Sequence, residues 1–123
     1  MTIYFPAAGK RVAASDIYNI SKYNRYDQFA LIYIRTEGSY WSLMPYTTEG
    51  GSRYYNSVDC GYVKFFADAG EGMQWTNNFN VDVKIIIINE TERTSLYSKG
   101  VYFSSHDEVV AAIGDDRKVS QAF

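Results

Sequence analysis

The stretch Val81-Asp82-Val83-Lys84-Ile85-Ile86-Ile87-Ile88-Asn89 begins by alternating apolar and polar residues and then turns apolar at every position. Successive side chains of a strand point to opposite faces. Val81, Val83, Ile85 and Ile87 therefore share one face, while Asp82 and Lys84 on the other are expected to meet water. Ile86 and Ile88 also lie on that second face, so it must be covered near the C-terminal end of the strand. A short helix lying across part of a sheet would do this, and so would a subunit contact. The strand, residues 80–89, is expected to be the longest in the chain.

Working outward, residues 62–67 read as a further strand, followed by a turn at residues 68–72. Residues 73–75 read as a short strand broken by Asn77 and Asn78. Residues 29–36 and 39–44 form a hairpin around Glu37 and Gly38. Residues 2–5 form a short strand stopped by Pro6, which lacks the ladder donor and so belongs at a sheet edge. Ser15 as an N-cap, Asp16 in the first turn, and Ile17 and Ile20 at helical spacing predict a helix over residues 15–25. Residues 47–59 read as a loop. After the long strand, residues 89–93 are expected to reverse the chain and residues 95–103 to run back as a strand, with Gly100 at a bulge. Ser105 followed by Glu108 is a capping-box pattern. With Val109, Ala112 and Ile113 as an apolar stripe it predicts a helix over residues 105–113, ended by Gly114. Residues 115–123 read as a tail.

Hairpins dominate and strands do not alternate with helices. That order predicts an α+β fold built on a mainly antiparallel twisted sheet of about five to seven strands, with short helices at 15–25 and 105–113. A sheet curled toward a barrel is the alternative. A chain of 123 residues suits a single domain over residues 1–123.

The net charge of -2 gives no global field to attract nucleic acid or an anionic membrane. The longest apolar run, Ile85 to Ile88, falls far short of the roughly 20 residues that span a bilayer, and residues 1–11 lack the charge order of a signal peptide. A single cysteine, Cys60, forms no intrachain disulfide, and a reducing, cytoplasmic setting is expected.

Chemistry is sparsely signalled. Structural zinc wants four Cys or His ligands, and the chain offers Cys60 and His106 alone. Those two would have to meet to form a nucleophile-base pair; His106, in the first turn of a helix, is expected to be exposed or capping, and Cys60 to be a small apolar residue. Ala8-Gly9-Lys10-Arg11 lacks the earlier glycine and the Ser or Thr of a phosphate loop. The acids scatter through turns. No cofactor, no metal and no catalysis are expected.

Binding is better signalled. Nine of the twelve tyrosines lie between Tyr18 and Tyr62, and tyrosine, with a large ring and a polar tip, suits contact surfaces. Arg53, Tyr54, Tyr55, Trp75, Asn77, Phe79 and Arg93 form the candidate contact patch, since aromatic and arginine side chains dominate interface energetics. The leading expectation is a non-enzymatic protein that occludes a partner protein. By analogy of size and composition this is an inhibitory, immunity or anti-defence role of the kind a phage or other mobile element encodes. The alternatives are an oligomer that sequesters a small nucleotide-like ligand, and a structural subunit of a larger assembly.

Overall fold

A computed structural model describes residues 1–20, 28–36, 40–59 and 61–113. Eight strands and two helices follow one another along these residues: β1 (Thr2–Phe5), β2 (Val12–Asn19), β3 (Gln28–Arg35), β4 (Ser42–Leu43), β5 (Tyr46–Thr47), β6 (Arg53–Asp59), β7 (Tyr62–Asp68), β8 (Phe79–Asn89), α1 (Glu90–Ser98) and α2 (His106–Ile113). The class is α+β and every strand pair is antiparallel. The strands number eight rather than five to seven, and they form two four-stranded sheets, ordered β1-β8-β3-β4 and β2-β7-β6-β5.

The long strand β8 shows why two sheets are needed. Val81, Val83, Ile85 and Ile87 join Ile3, Phe5, Ile32 and Ile34 of the first sheet in a core shared with Ala13, Tyr54, Val63, Phe65 and Ala67 of the second. Ile86 and Ile88 face the other way, into a second core with Leu31 and Tyr33, closed by Leu96 of α1 and Val109 of α2. The layers therefore run helices, first sheet, second sheet. Asp82, beyond the helices, stays half-exposed and meets Arg35 at 3.1 Å. Lys84 departs from expectation: it is buried rather than facing water, because α2 reaches that far along the strand.

β1 lies at the edge of the first sheet, as Pro6 implies. The predicted helix over 15–25 is instead β2 as far as Asn19, and residues 21–25 lie outside the described residues. Ser15 does not cap a helix. Its hydroxyl donates to the Asp16 carbonyl at 2.7 Å and accepts from Phe65 N at 3.0 Å. It sits where the pairing with β7 slips between Ala14 and Ile17. Ala13 and Ser15 point inward; the slip turns Ile17 outward and brings Tyr18 and Ile20 in. This reset imitates helical spacing of Ile17 and Ile20.

Residues 53–56 belong to strand β6 rather than to a loop. The expected strand at 73–75 is irregular, although Trp75 N donates to Lys10 O and Gly9 N to Trp75 O, both at 2.7 Å. In the hairpin, β3 pairs with Ser42 and Leu43; the turn at Glu37 and Gly38, together with Ser39, lies outside the described residues.

The expected strand at 95–103 is replaced by helix α1. Asn89 accepts from Glu92 N at 2.8 Å while the Glu92 carboxylate accepts from Asn89 N at 3.1 Å. This reciprocal cap satisfies two amides that a helix start leaves open. Gly100, at φ +72°, ends the helix rather than forming a bulge. Its amide donates to Tyr97 O, and Val101 N donates to Leu96 O, the paired bonds that close a helix over a left-handed residue. α2 occupies the expected place over His106–Ile113, with Ser105 O accepting from Val109 N at 3.1 Å, but its inward stripe is Val109, Val110 and Ile113, and Ala112 is exposed. The expected stop at Gly114 and the tail over 115–123 lie outside the described residues.

Asn89→Ala removes the cap acceptor and is expected to lower the unfolding free energy by about 1 kcal/mol, read as a lower urea midpoint at constant slope. An unchanged midpoint would show that Leu96 packing alone holds α1.

Candidate functional site

Two surfaces gather the aromatic residues. The first is a cleft of about 520 Å³ beside the edge strands β4 and β5, where the chain passes from the first sheet to the second through a cis Met44–Pro45 bond. Tyr40, Tyr46, Tyr54 and Trp75 supply its rings. Thr36, Ser42, Thr48 and Ser52 add hydroxyls, and Glu49 a carboxylate. Trp75 is pinned: its indole N–H donates to Ala67 O at 3.1 Å, and its ring packs against Phe79 and Tyr54 at 4.5 and 6.3 Å between centroids. Phe79 in turn stacks on Phe5. The turn below the cleft is bonded to itself, with Thr48 N donating to Ser52 O, and Ser52 N to the Thr48 hydroxyl. Gly51 supplies its left-handed residue at φ +92°.

The second surface is the outer face of the second sheet. Tyr55 and Phe66, opposite one another on β6 and β7, stack at 5.0 Å with planes 12° apart. The Arg53 guanidinium lies 5.3 Å from the Tyr55 ring and the Lys64 ammonium 5.7 Å from the Phe66 ring. Around them Ile17 is 63% exposed, Tyr62 49% and Val12 42%. At the margin Asp68 accepts from the Gly70 amide and from Arg11, and those bonds, with the nearby charges of Arg11 and Arg53, hold its carboxyl below the usual range.

The candidate residues thus divide between surfaces. Arg53 and Tyr55 belong to the outer face. Tyr54, which is buried, and Trp75 belong to the cleft; Phe79 lies behind Trp75 toward the core. Asn77 is exposed in the loop before β8. Arg93 is on α1, on the opposite side of the first sheet, bonded to Glu90 at 2.8 Å and 4.9 Å from the Phe29 ring. Lys64, Phe66, Ile17 and Tyr62 were not singled out from sequence. Alternation along β7 marks Tyr62, Lys64 and Phe66 as one face, and that signal was available.

His106 is buried, not exposed. Its Nε2 lies 2.8 Å from Lys84 Nζ and its Nδ1 3.0 Å from an Asp107 oxygen. The two ring nitrogens thus face different partners, Nε2 the Lys84 side chain and Nδ1 the Asp107 carboxylate. The ring is flanked by Tyr33 and Trp41. Cys60 lies outside the described residues, and a pairing with His106 with it. Among the described residues no three His, Cys, Asp or Glu side chains gather where they could hold a metal ion, and no helix is long and apolar enough to cross a membrane. Compared with protein-family models, curated proteins and solved structures, the chain gives no significant match.

His106→Ala deletes a packed ring and an acceptor for the Lys84 ammonium, and is expected to cost about 2–4 kcal/mol in denaturant unfolding. His106→Gln, whose amide oxygen can still accept, is expected to cost less; equal losses would show that the Lys84 contact contributes nothing. Tyr33, whose hydroxyl donates to Phe103 O, is pushed up to about 12 by burial. The folded state then holds this proton where the unfolded chain, near pH 10, releases it, so stability falls as pH rises through that window. Tyr33→Phe is expected to flatten that alkaline loss; an unchanged slope would assign it to other groups.

Proposed function

We propose that this protein is a non-enzymatic binding protein that occludes a partner protein through the outer face of its second sheet. One observation supports this reading: the first sheet is covered on both faces, by the second sheet and by α1 and α2, whereas no described element covers the second sheet's outer face. That face carries a ring stack, two cations lying near the rings, and exposed Ile17 and Tyr62. Aromatic and arginine groups of this kind serve as interface anchors. Arg53 and Lys64 call for a partner surface bearing carboxylates, which would speed encounter and fix register. An inhibitory or immunity-type role in a reducing, cytoplasmic setting suits this mode of action, since it needs only the partner's surface to be blocked.

Photocrosslinking from a reactive residue at position 62 in source cells, followed by reconstitution with the identified protein, tests the proposal. Ile17→Asp and Tyr62→Asp are each expected to weaken the reconstituted complex at least about tenfold, near 1.4 kcal/mol. Arg53→Glu is expected to slow association and weaken its salt dependence. Tyr97→Ala, on the helix side and 82% exposed, is expected to change nothing. Crosslinks that join two copies of the chain, or that reach only nucleic acid, would overturn the reading, as would affinities indifferent to Ile17→Asp and Tyr62→Asp.

A further inference from the structure

We infer that the cleft beside β4 and β5 is a binding site for a neutral, polyhydroxylated ring, a pyranose sugar or short oligosaccharide. This site is separate from the outer face of the second sheet and stands or falls independently of it. Its volume, about 520 Å³, lies within the roughly 300–1,000 Å³ of small-ligand pockets.

The chemistry of the lining selects the ligand. Trp75 has already given its N–H to the Ala67 carbonyl, so it offers a ligand its ring and not a donor. Ring faces suit the apolar C–H face of a pyranose, whose flat side is as hydrophobic as its rim is polar. The rim would meet the hydroxyls of Thr36, Ser42, Thr48 and Ser52. A hydroxyl both donates and accepts, and the matching ligand is one whose own groups do both.

Charge excludes the rivals. Among the described residues the lining contains Glu49 and no Lys, Arg or His. A phosphate would find repulsion and no cation, which disfavours a nucleotide at this cleft. An alkylammonium would gain from the rings and from Glu49, but it donates at most and would leave the row of hydroxyls without acceptors or donors to answer. Glu49 in a sugar complex would accept from two neighbouring hydroxyls, a bidentate arrangement open to a carboxylate. Tyr40, which lines the cleft and is 82% exposed, offers its ring to a ligand without being part of the core.

Saturation-transfer NMR with the full chain tests this directly. The probes are the methyl glycosides of glucose, galactose and mannose, N-acetylglucosamine, maltotriose and cellotriose, with tetramethylammonium and AMP as rivals. The expected result is transfer to the ring C–H protons of at least one sugar. Tyr40→Ala is expected to weaken that sugar at least about fivefold through the lost ring contact, with an unchanged thermal midpoint because Tyr40 contributes nothing to the core. Tyr62→Asp, on the outer face, is expected to leave sugar binding intact. No transfer to any sugar would overturn the inference. So would transfer that survives Tyr40→Ala undiminished, or binding of tetramethylammonium or AMP in preference to every sugar.

Discussion

The structure depends on burying both faces of one strand. From Val83 to Ile88 every side chain of β8 is buried, and a strand can satisfy that only between two layers. One layer is the second sheet, reached by the odd-numbered residues. The other is the helix pair, reached by Lys84, Ile86 and Ile88. At about 1.5–3 kcal/mol for each fully buried isoleucine, the run from Ile85 to Ile88 rewards both dockings strongly. Where the helices stop, the strand reverts to a half-exposed Asp82 paired with Arg35.

This demand leaves the molecule lopsided, and the lopsidedness locates both candidate surfaces. Covering the first sheet twice uses all the described helices, so among the described residues nothing packs on the outer face of the second sheet. The edge strands β4 and β5 are only two residues long each. Such short edges offer little template for pairing with another chain, and they also fail to close the side of the sandwich. The rings of Tyr46, Tyr54 and Trp75 line the gap that remains.

Much of this was legible in the sequence, and the misreadings have physical causes. β3, β7 and β8 could be read because each is a run of apolar, largely β-branched or aromatic residues bounded by turn residues, and α2 because a Ser-x-x-Glu start precedes an apolar run. β2 was misread because a slip of register after Ala14 resets the alternation, and Ile17 and Ile20 then imitate a helix. α1 was missed because its start signal, Asn89 with Glu92, sits at the tip of a strand, where Asn is also a turn residue. The seven residues of the candidate contact patch were chosen by composition, and the fold does not bring them to one place. Tyr54 and Tyr55 are neighbours in the chain and point to opposite faces of one strand, so one enters the cleft side and the other the outer face. Arg93 is carried away altogether by the helix that the sequence reading missed.

The buried polar contacts under α2 do something that the apolar ones cannot. Leu31, Ile86, Ile88 and Val109 form a greasy interface that would tolerate sliding. Lys84 Nζ against His106 Nε2 at 2.8 Å, and the Tyr33 hydroxyl against Phe103 O at 2.7 Å, tolerate none. Shifting α2 by one turn, about 5.4 Å, would break the Lys84–His106 contact inside a buried layer, a loss that apolar contacts regained elsewhere would not readily offset. Lys84 is therefore a polar residue in an apolar strand for a reason: its contact with His106 ties α2 to one position on β8, and β8 in turn packs on the second sheet.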